Sequence, residues 1–93
     1  MAEKRTVEIT TSSGFQCVLD LNRIASMDFV DAMASYQDGD VLALSRAVSI
    51  MFDKDTKTRL YEHVRNEDGL VLIDDTAREI VEILNGAKAG KNS

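Results

Sequence analysis

The stretch "TVEITTSSGFQCVLDL" sets Val7, Ile9 and Thr11 before a Ser-Ser-Gly break and Phe15, Cys17 and Leu19 after it. Period-two alternation on both sides of a three-residue loop containing glycine predicts a β-hairpin with one buried face. Cys17 falls in the inward set and reads as a small buried hydrophobe. Helical spacing then takes over. The expected fold is α+β: a mainly helical single domain, with an N-terminal β-hairpin followed by about four helices.

From Asn22 to Gln37, Phe29, Ala32, Met33 and Tyr36 share one face, and Ile24, Met27, Val30 and Ala34 an adjoining one. Only Asp28, Asp31 and Ser35 form a polar stripe, so this helix is central in its domain or buried against a partner. "QDGD" ends it, with Gly39 suited to the left-handed C-terminal position and Asp40 to capping the next helix. That helix, "VLALSRAVSIMF", carries Val41, Leu44, Val48 and Met51 on one stripe, and Leu42 and Ile50 on a second side. "DKDTKT" introduces a shorter helix bearing Leu60, Tyr61 and Val64.

The next segment, "LYEHVRNEDGLVLIDDTAREIVEIL", has the outline of a calcium-binding helix-loop-helix. With Gly69 at the sixth loop position, Asn66, Asp68 and Asp75 fall at ligand positions, but the first position is Val64, which has no side-chain oxygen. The corner therefore reads as a structural turn. Gly69 permits the reversal, Leu70 to Ile73 run as an extended segment that anchors it in the core, and Asp74 or Asp75 begins the last helix. Ala77, Ile80, Val81 and Leu84 are its expected inward stripe, Thr76 and Glu79 a capping box, and Gly86 its end. The domain is thus expected over 1–86, with 87–93 a flexible tail.

With 93 residues and a net charge of -5, the chain carries no clustered lysine and arginine, which excludes nucleic acid as its main partner. Its most apolar segment, Val41 to Phe52, is interrupted by Arg46 and falls short of the roughly 20 residues a membrane helix needs. The start "MAEKRTVEIT" has no apolar signal region, and a lone cysteine suits a reducing compartment. No phosphate loop, nucleophile elbow or cofactor fingerprint is present. The Asp-Ser-Leu attachment sequence of acyl carrier proteins is missing too. His63, with Glu62 beside it and Arg59 four residues earlier, reads as a boundary histidine, because a metal site wants three or four ligands. The acid pairs Asp38/Asp40, Asp53/Asp55 and Asp74/Asp75 stand at helix starts, where capping accounts for them. Neither an enzyme nor a cofactor is expected.

In order, the hairpin, the "DGD" step before "LALSRAVSIMF", the "YEHVRNEDG" corner and the "GKNS" end resemble the small tail assembly chaperones of long-tailed bacteriophages and prophages. The likeness covers nearly the whole chain and departs where family members often follow the glycine with Val-Pro, here Leu-Val-Leu. It implies a protein of the bacterial host cytoplasm, absent from the mature virion, that coats the tape measure protein until tail tube subunits polymerise around it. Tail tube protein, a second copy of the chain and a frameshift-extended form of itself are further partners it implies. Lys91-Asn92 permits the AAA-AAC codons of a slippery site. On this reading the surplus apolar side chains Met33, Tyr36, Leu42 and Ile50 form the client surface or a self-association surface. The alternatives from other classes are a calcium-responsive module built on the corner and an oligomeric structural component of the tail.

Overall fold

A computed structural model of the protein describes residues 5–91. Strands β1 (Thr6–Thr10) and β2 (Gln16–Asp20) pair antiparallel, with Ile9 opposite Cys17 and Val7 opposite Leu19. Among the described residues five helices follow: α1 (Leu21–Ile24), α2 (Met27–Gln37), α3 (Leu42–Met51), α4 (Lys54–Val64) and α5 (Ile73–Lys91). The fold is α+β and mainly helical, as the alternation and helical spacing predict.

The inward hairpin set is the expected one. Ile9, Thr11, Phe15, Cys17 and Leu19 are buried, while Glu8, Thr10, Gln16 and Val18 face outward. Burial pushes the Cys17 thiol above its ordinary pKa, an effect that Arg59 partly offsets and Glu79 reinforces. A thiol so placed stays protonated and inert at neutral pH.

The single helix expected over 22–37 is broken in two. Asp20 accepts a hydrogen bond from the Asn22 amide and starts the one-turn α1. Ser26 then turns its hydroxyl to the Phe29 amide as acceptor and to the Arg23 carbonyl as donor. A serine that bonds the backbone on both sides offers it an alternative to the helical ladder, so α2 begins afresh at Met27. At the other end of α2, the Asp40 amide donates to the Ser35 carbonyl and the Gly39 amide to the Tyr36 carbonyl. This is a Schellman closure, and it needs the left-handed φ of +105° that Gly39 adopts. Asp40 accepts from the Leu42 amide, as its capping role requires.

Helices α2 and α3 pack against each other and carry the fully buried alanines Ala32, Ala43 and Ala47. Such small side chains let two helix backbones approach closely. Leu44, Val48, Met51 and Phe52 complete the α3 contribution to the interior. Helix α4, capped by Asp53 through the Thr56 amide, is polar along most of its length and sends one residue, Leu60, fully into the core.

Three expectations about the C-terminal third are corrected. The segment Leu70 to Ile73 does not return to the core: Leu70, Leu72 and Ile73 are exposed and Val71 is half-buried. The Asn66 amide already bonds the Leu70 carbonyl across the turn, and α5 starts three residues later, leaving too little chain to cross the interior. Thr76 and Glu79 form no capping box. Thr76 is buried and donates its hydroxyl to the Leu72 carbonyl, and Glu79 reaches the hairpin loop instead. Finally, Gly86 does not end α5, which continues as helix through Lys91 with Ala87 buried; residues 92–93 of the expected tail lie outside the described residues. A Cβ on Gly86 would stand 2.9 Å from Ile9 Cγ2, so this glycine is a point of close approach between α5 and β1 rather than a stop.

The inward stripe of α5 is also rotated from the expected one. It runs through Thr76, Glu79, Ile80, Ile83 and Ala87, while Val81 is exposed and Ala77 and Leu84 are half-buried. Of its two polar residues, Glu79 reaches the hairpin loop and Thr76 bonds back to the Leu72 carbonyl.

Candidate functional site

The hairpin loop, α4 and α5 meet in a polar cluster centred on Ser13. Its Oγ donates to Glu79 Oε1 at 2.8 Å and lies 2.9 Å from His63 Nε2. With the serine proton committed to Glu79, His63 Nε2 is the donor, which fixes the protonated nitrogen of the imidazole. Thr11 Oγ1 approaches Ser13 Oγ at 3.1 Å and accepts from the Phe15 amide. One turn along α5, Glu82 receives the Ser12 amide at 3.1 Å and the Ser12 hydroxyl at 2.9 Å. Two glutamates three residues apart thus clip two adjacent serines of one loop.

Serine, histidine and glutamate invite comparison with a hydrolase triad, but the connectivity is different. In a triad the imidazole stands between serine and carboxylate and takes the serine proton. Here the serine hydroxyl donates to the carboxylate, and the imidazole donates to the serine oxygen. His63 also leans on Phe15, ring centroids 5.3 Å apart and tilted, and the Arg59 guanidinium covers the same ring at 5.5 Å. The cluster clamps the hairpin tip to the helices. The sequence pattern puts His63 at the edge of its helix's apolar face and gives no sign of Ser12, Ser13 and Glu82, whose partners lie 50 to 70 residues away.

Ser13→Ala removes the donor that satisfies Glu79, a residue only 6% exposed. The expected loss is about 1–3 kcal/mol, the usual penalty for leaving a buried polar group without its partner. Urea unfolding measures it, and Ser13→Ala/Glu79→Met should recover most of it, since the stranded carboxylate is then gone.

The corner between α4 and α5 is closed by its own hydrogen bonds. Asn66 Oδ1 accepts from the Asp68 and Leu70 amides, Gly69 takes φ +83°, and Arg65 donates to the Gly69 carbonyl while pairing with Glu62. Asp75 pairs with Arg78 at 3.2 Å. Of the side chains at calcium-ligand positions, Asn66 is thus turned to backbone donors and Asp75 to Arg78. Among the described residues no three His, Cys, Asp or Glu side chains gather as metal ligands, and no helix is long and apolar enough to cross a membrane.

The other prominent feature is apolar. Of nine large hydrophobic residues exposed among the described residues, five lie in the short segments 41–42 and 70–73. The two segments meet, because Val41 and, from α3, Leu44 and Ser45 line a groove of about 180 Å³ with Tyr61, Val71, Ile73 and Thr76. Val41 is 51% and Ile73 49% exposed, and Leu42 beside them reaches 77%. Concentration in one place is informative, whereas single exposed hydrophobics elsewhere on a surface are ordinary. In sequence, exposed Asp38 and Asp40 precede Val41 and exposed Asp74 follows Ile73, while Lys57 stands 5.6 Å over the Tyr61 ring. A second groove, near Leu21, Ile24 and Leu84, is walled by side chains that pack onto the core cluster.

Of the four side chains expected on a client surface, Leu42 is exposed beside the first groove. Met33 and Ile50 are half-buried and pack against the core cluster, and Tyr36 is half-buried. Val41, Val71 and Ile73 were assigned to the core or its return segment, and in the folded chain they line the groove. No protein-family model, curated protein or solved structure matches this chain.

Proposed function

We propose that this chain is a phage tail assembly chaperone, which binds the tape measure protein and keeps it in solution until the tail tube polymerises around it. The observation that carries the reading is the apolar groove at the start of α3. It lies on a small domain with net charge -5. A long helical client exposes apolar faces before assembly. Its holder needs a matching apolar surface, together with enough like charge to stay dispersed when empty. The order of hairpin, "DGD" step and "YEHVRNEDG" corner adds the resemblance to that family.

Co-expression with the tape measure protein encoded just downstream, followed by affinity capture and size-exclusion chromatography with light scattering, tests the proposal. A soluble complex is expected where the tape measure alone is insoluble. A tape measure that stays insoluble or unbound overturns it, as does finding this chain in purified mature virions, which would make it a structural component.

A further inference from the structure

The groove near Leu21, Ile24 and Leu84 has a volume of about 270 Å³ and opens between α1 and α5. The two helices are held mainly by different neighbours, α1 by α2, α3 and β2, and α5 by β1 and α4, which leaves a crevice where they pass. Leu21, Ile24 and Ala25 line it from the α1 side, and Leu84 and Ala87 from α5. Leu21 and Ile24 are three residues apart, as are Leu84 and Ala87, so each helix turns one aliphatic face inward. Leu21, Ile24 and Leu84 pack on the core cluster to which Ala87 belongs, so the floor of the groove is the core itself.

The charged side chains among the described lining residues are Arg5 and Lys88, both cations. That is unexpected on a chain of net charge -5. The groove beside Phe52, by contrast, mixes Asp20 and Asp53 with Arg23 and Arg59. Arg5 donates from Nε to Asn22 Oδ1 at 3.0 Å, which holds its guanidinium at the α1 edge. Lys88 follows Leu84 by one turn and is exposed. No hydroxyl or amide side chain stands among the described lining residues.

We infer that this groove binds a medium-chain fatty carboxylate, its alkyl chain laid between Leu21, Ile24 and Leu84 and its head group between Arg5 and Lys88. A cavity of about 150 Å³ with aliphatic and aromatic walls holds one benzene, so this volume suits a chain of roughly eight to ten carbons. The ligand must keep its polarity at one end. A peptide backbone or a sugar laid along these walls would give up water without gaining a side-chain partner. A carboxylate at the mouth meets two cations, and the arginine fork matches its geometry. The groove shares no described lining residue with the one at the start of α3, so this inference stands apart from the chaperone reading.

Titration of the full chain with decanoate, followed in amide nitrogen–proton correlation spectra, tests it. Saturable shifts are expected at the Ala25, Leu84 and Lys88 amides, with a rise in melting temperature, because a ligand that binds only the folded state stabilises it. Decanol has the same chain without the charge and should bind at least about tenfold more weakly, the least that a charge-assisted hydrogen bond contributes. The advantage of decanoate should shrink as salt is raised. Arg5→Gln/Lys88→Gln replaces two exposed side chains, so the circular dichroism spectrum should be unchanged while decanoate falls to the affinity of decanol. Shifts that do not saturate, equal affinity of decanoate and decanol, or undiminished decanoate binding by the folded double variant overturns the inference. So do decanoate shifts centred on Val41, Val71 and Ile73 in place of Ala25 and Leu84, or a dimer that covers these amides and excludes the ligand. Because decanoate owes nothing to the tape measure, either reading can fail while the other stands.

Discussion

Leu60→Ala is expected to destabilise the protein by ~2–5 kcal/mol, the range for emptying a fully buried leucine site. Helix α4 makes the upper half of that range the better expectation. Its sequence, "KDTKTRLYEHV", offers one residue with no exposed surface, and that residue is Leu60; Tyr61 and Val64 only border the core. Removing it leaves α4 held by edges and a cap. Domains of this size have total stabilities of about 5–15 kcal/mol, so a large share is at stake. A fall in melting temperature of about 4–8 °C per kcal/mol follows from the unfolding entropy of a small domain. The loss should also reach the hairpin tip, because α4 carries both His63 and Arg59, which hold Ser13 and Phe15. Hydrogen exchange at Thr11 and Gly14, whose amides close the loop, should therefore accelerate in Leu60→Ala more than exchange within α2. Equal acceleration across the chain would mean that α4 does not support the loop.

Gly86→Val is expected to cost ~3 kcal/mol, the upper part of the range for forcing extra methyl groups into a filled site. Ordinarily a glycine inside a helix is worth replacing, with a propensity gain of up to about 1 kcal/mol for alanine. At this position a Cβ would meet Ile9 Cγ2 at 2.9 Å. Ile9 is β-branched and stiff about χ1, so it has little freedom to swing aside, and the strand behind it is paired with Cys17. The two elements must then separate. Ile9→Ala removes the obstructing methyl and, in the Gly86→Val background, should restore part of the loss. A coupling of about 0.5–3 kcal/mol between the two sites is expected from a double-mutant cycle, as for residues in direct contact. Additive losses would show that the helix and strand do not touch there.

How far the sequence can be read depends on whether a residue's role is set by its neighbours along the chain. The hairpin alternates around Ser12-Ser13-Gly14, and its register and buried face follow from that pattern alone. The Gly39 closure is equally local, since its bonds span three and five residues. Ser26 was legible in principle: a serine followed by Asp28 is a capping signal, outweighed by the apolar residues on both sides. Gly86 was not, because the same residue is a helix stop when exposed and a contact surface when another element lies 2.9 Å away. The spacing of Thr76 and Glu79 satisfies the local capping pattern, yet both side chains are used differently, Glu79 by a serine 66 residues distant. The groove was half legible. Leu42 was marked as surplus on its helix, whereas Val41, Val71 and Ile73 share a wall only once the corner folds back beside α3.

The first strands of the chain rest on its last helix. Ile9 lies against Gly86, Ser12 is held by Glu82, and Ser13 by Glu79. A ribosome delivers these partners in the opposite order, hairpin first and α5 last. Ile9 and the hairpin loop therefore wait for α5, while Phe15 can meet Arg59 and His63 as soon as α4 is made. Helices α2 and α3 can pair during that interval, because their contacts are local. Docking of α5 is thus a late event in the synthesis of this domain, and a nascent chain stalled before α5 emerges is a natural substrate for the chaperones and proteases of the cell.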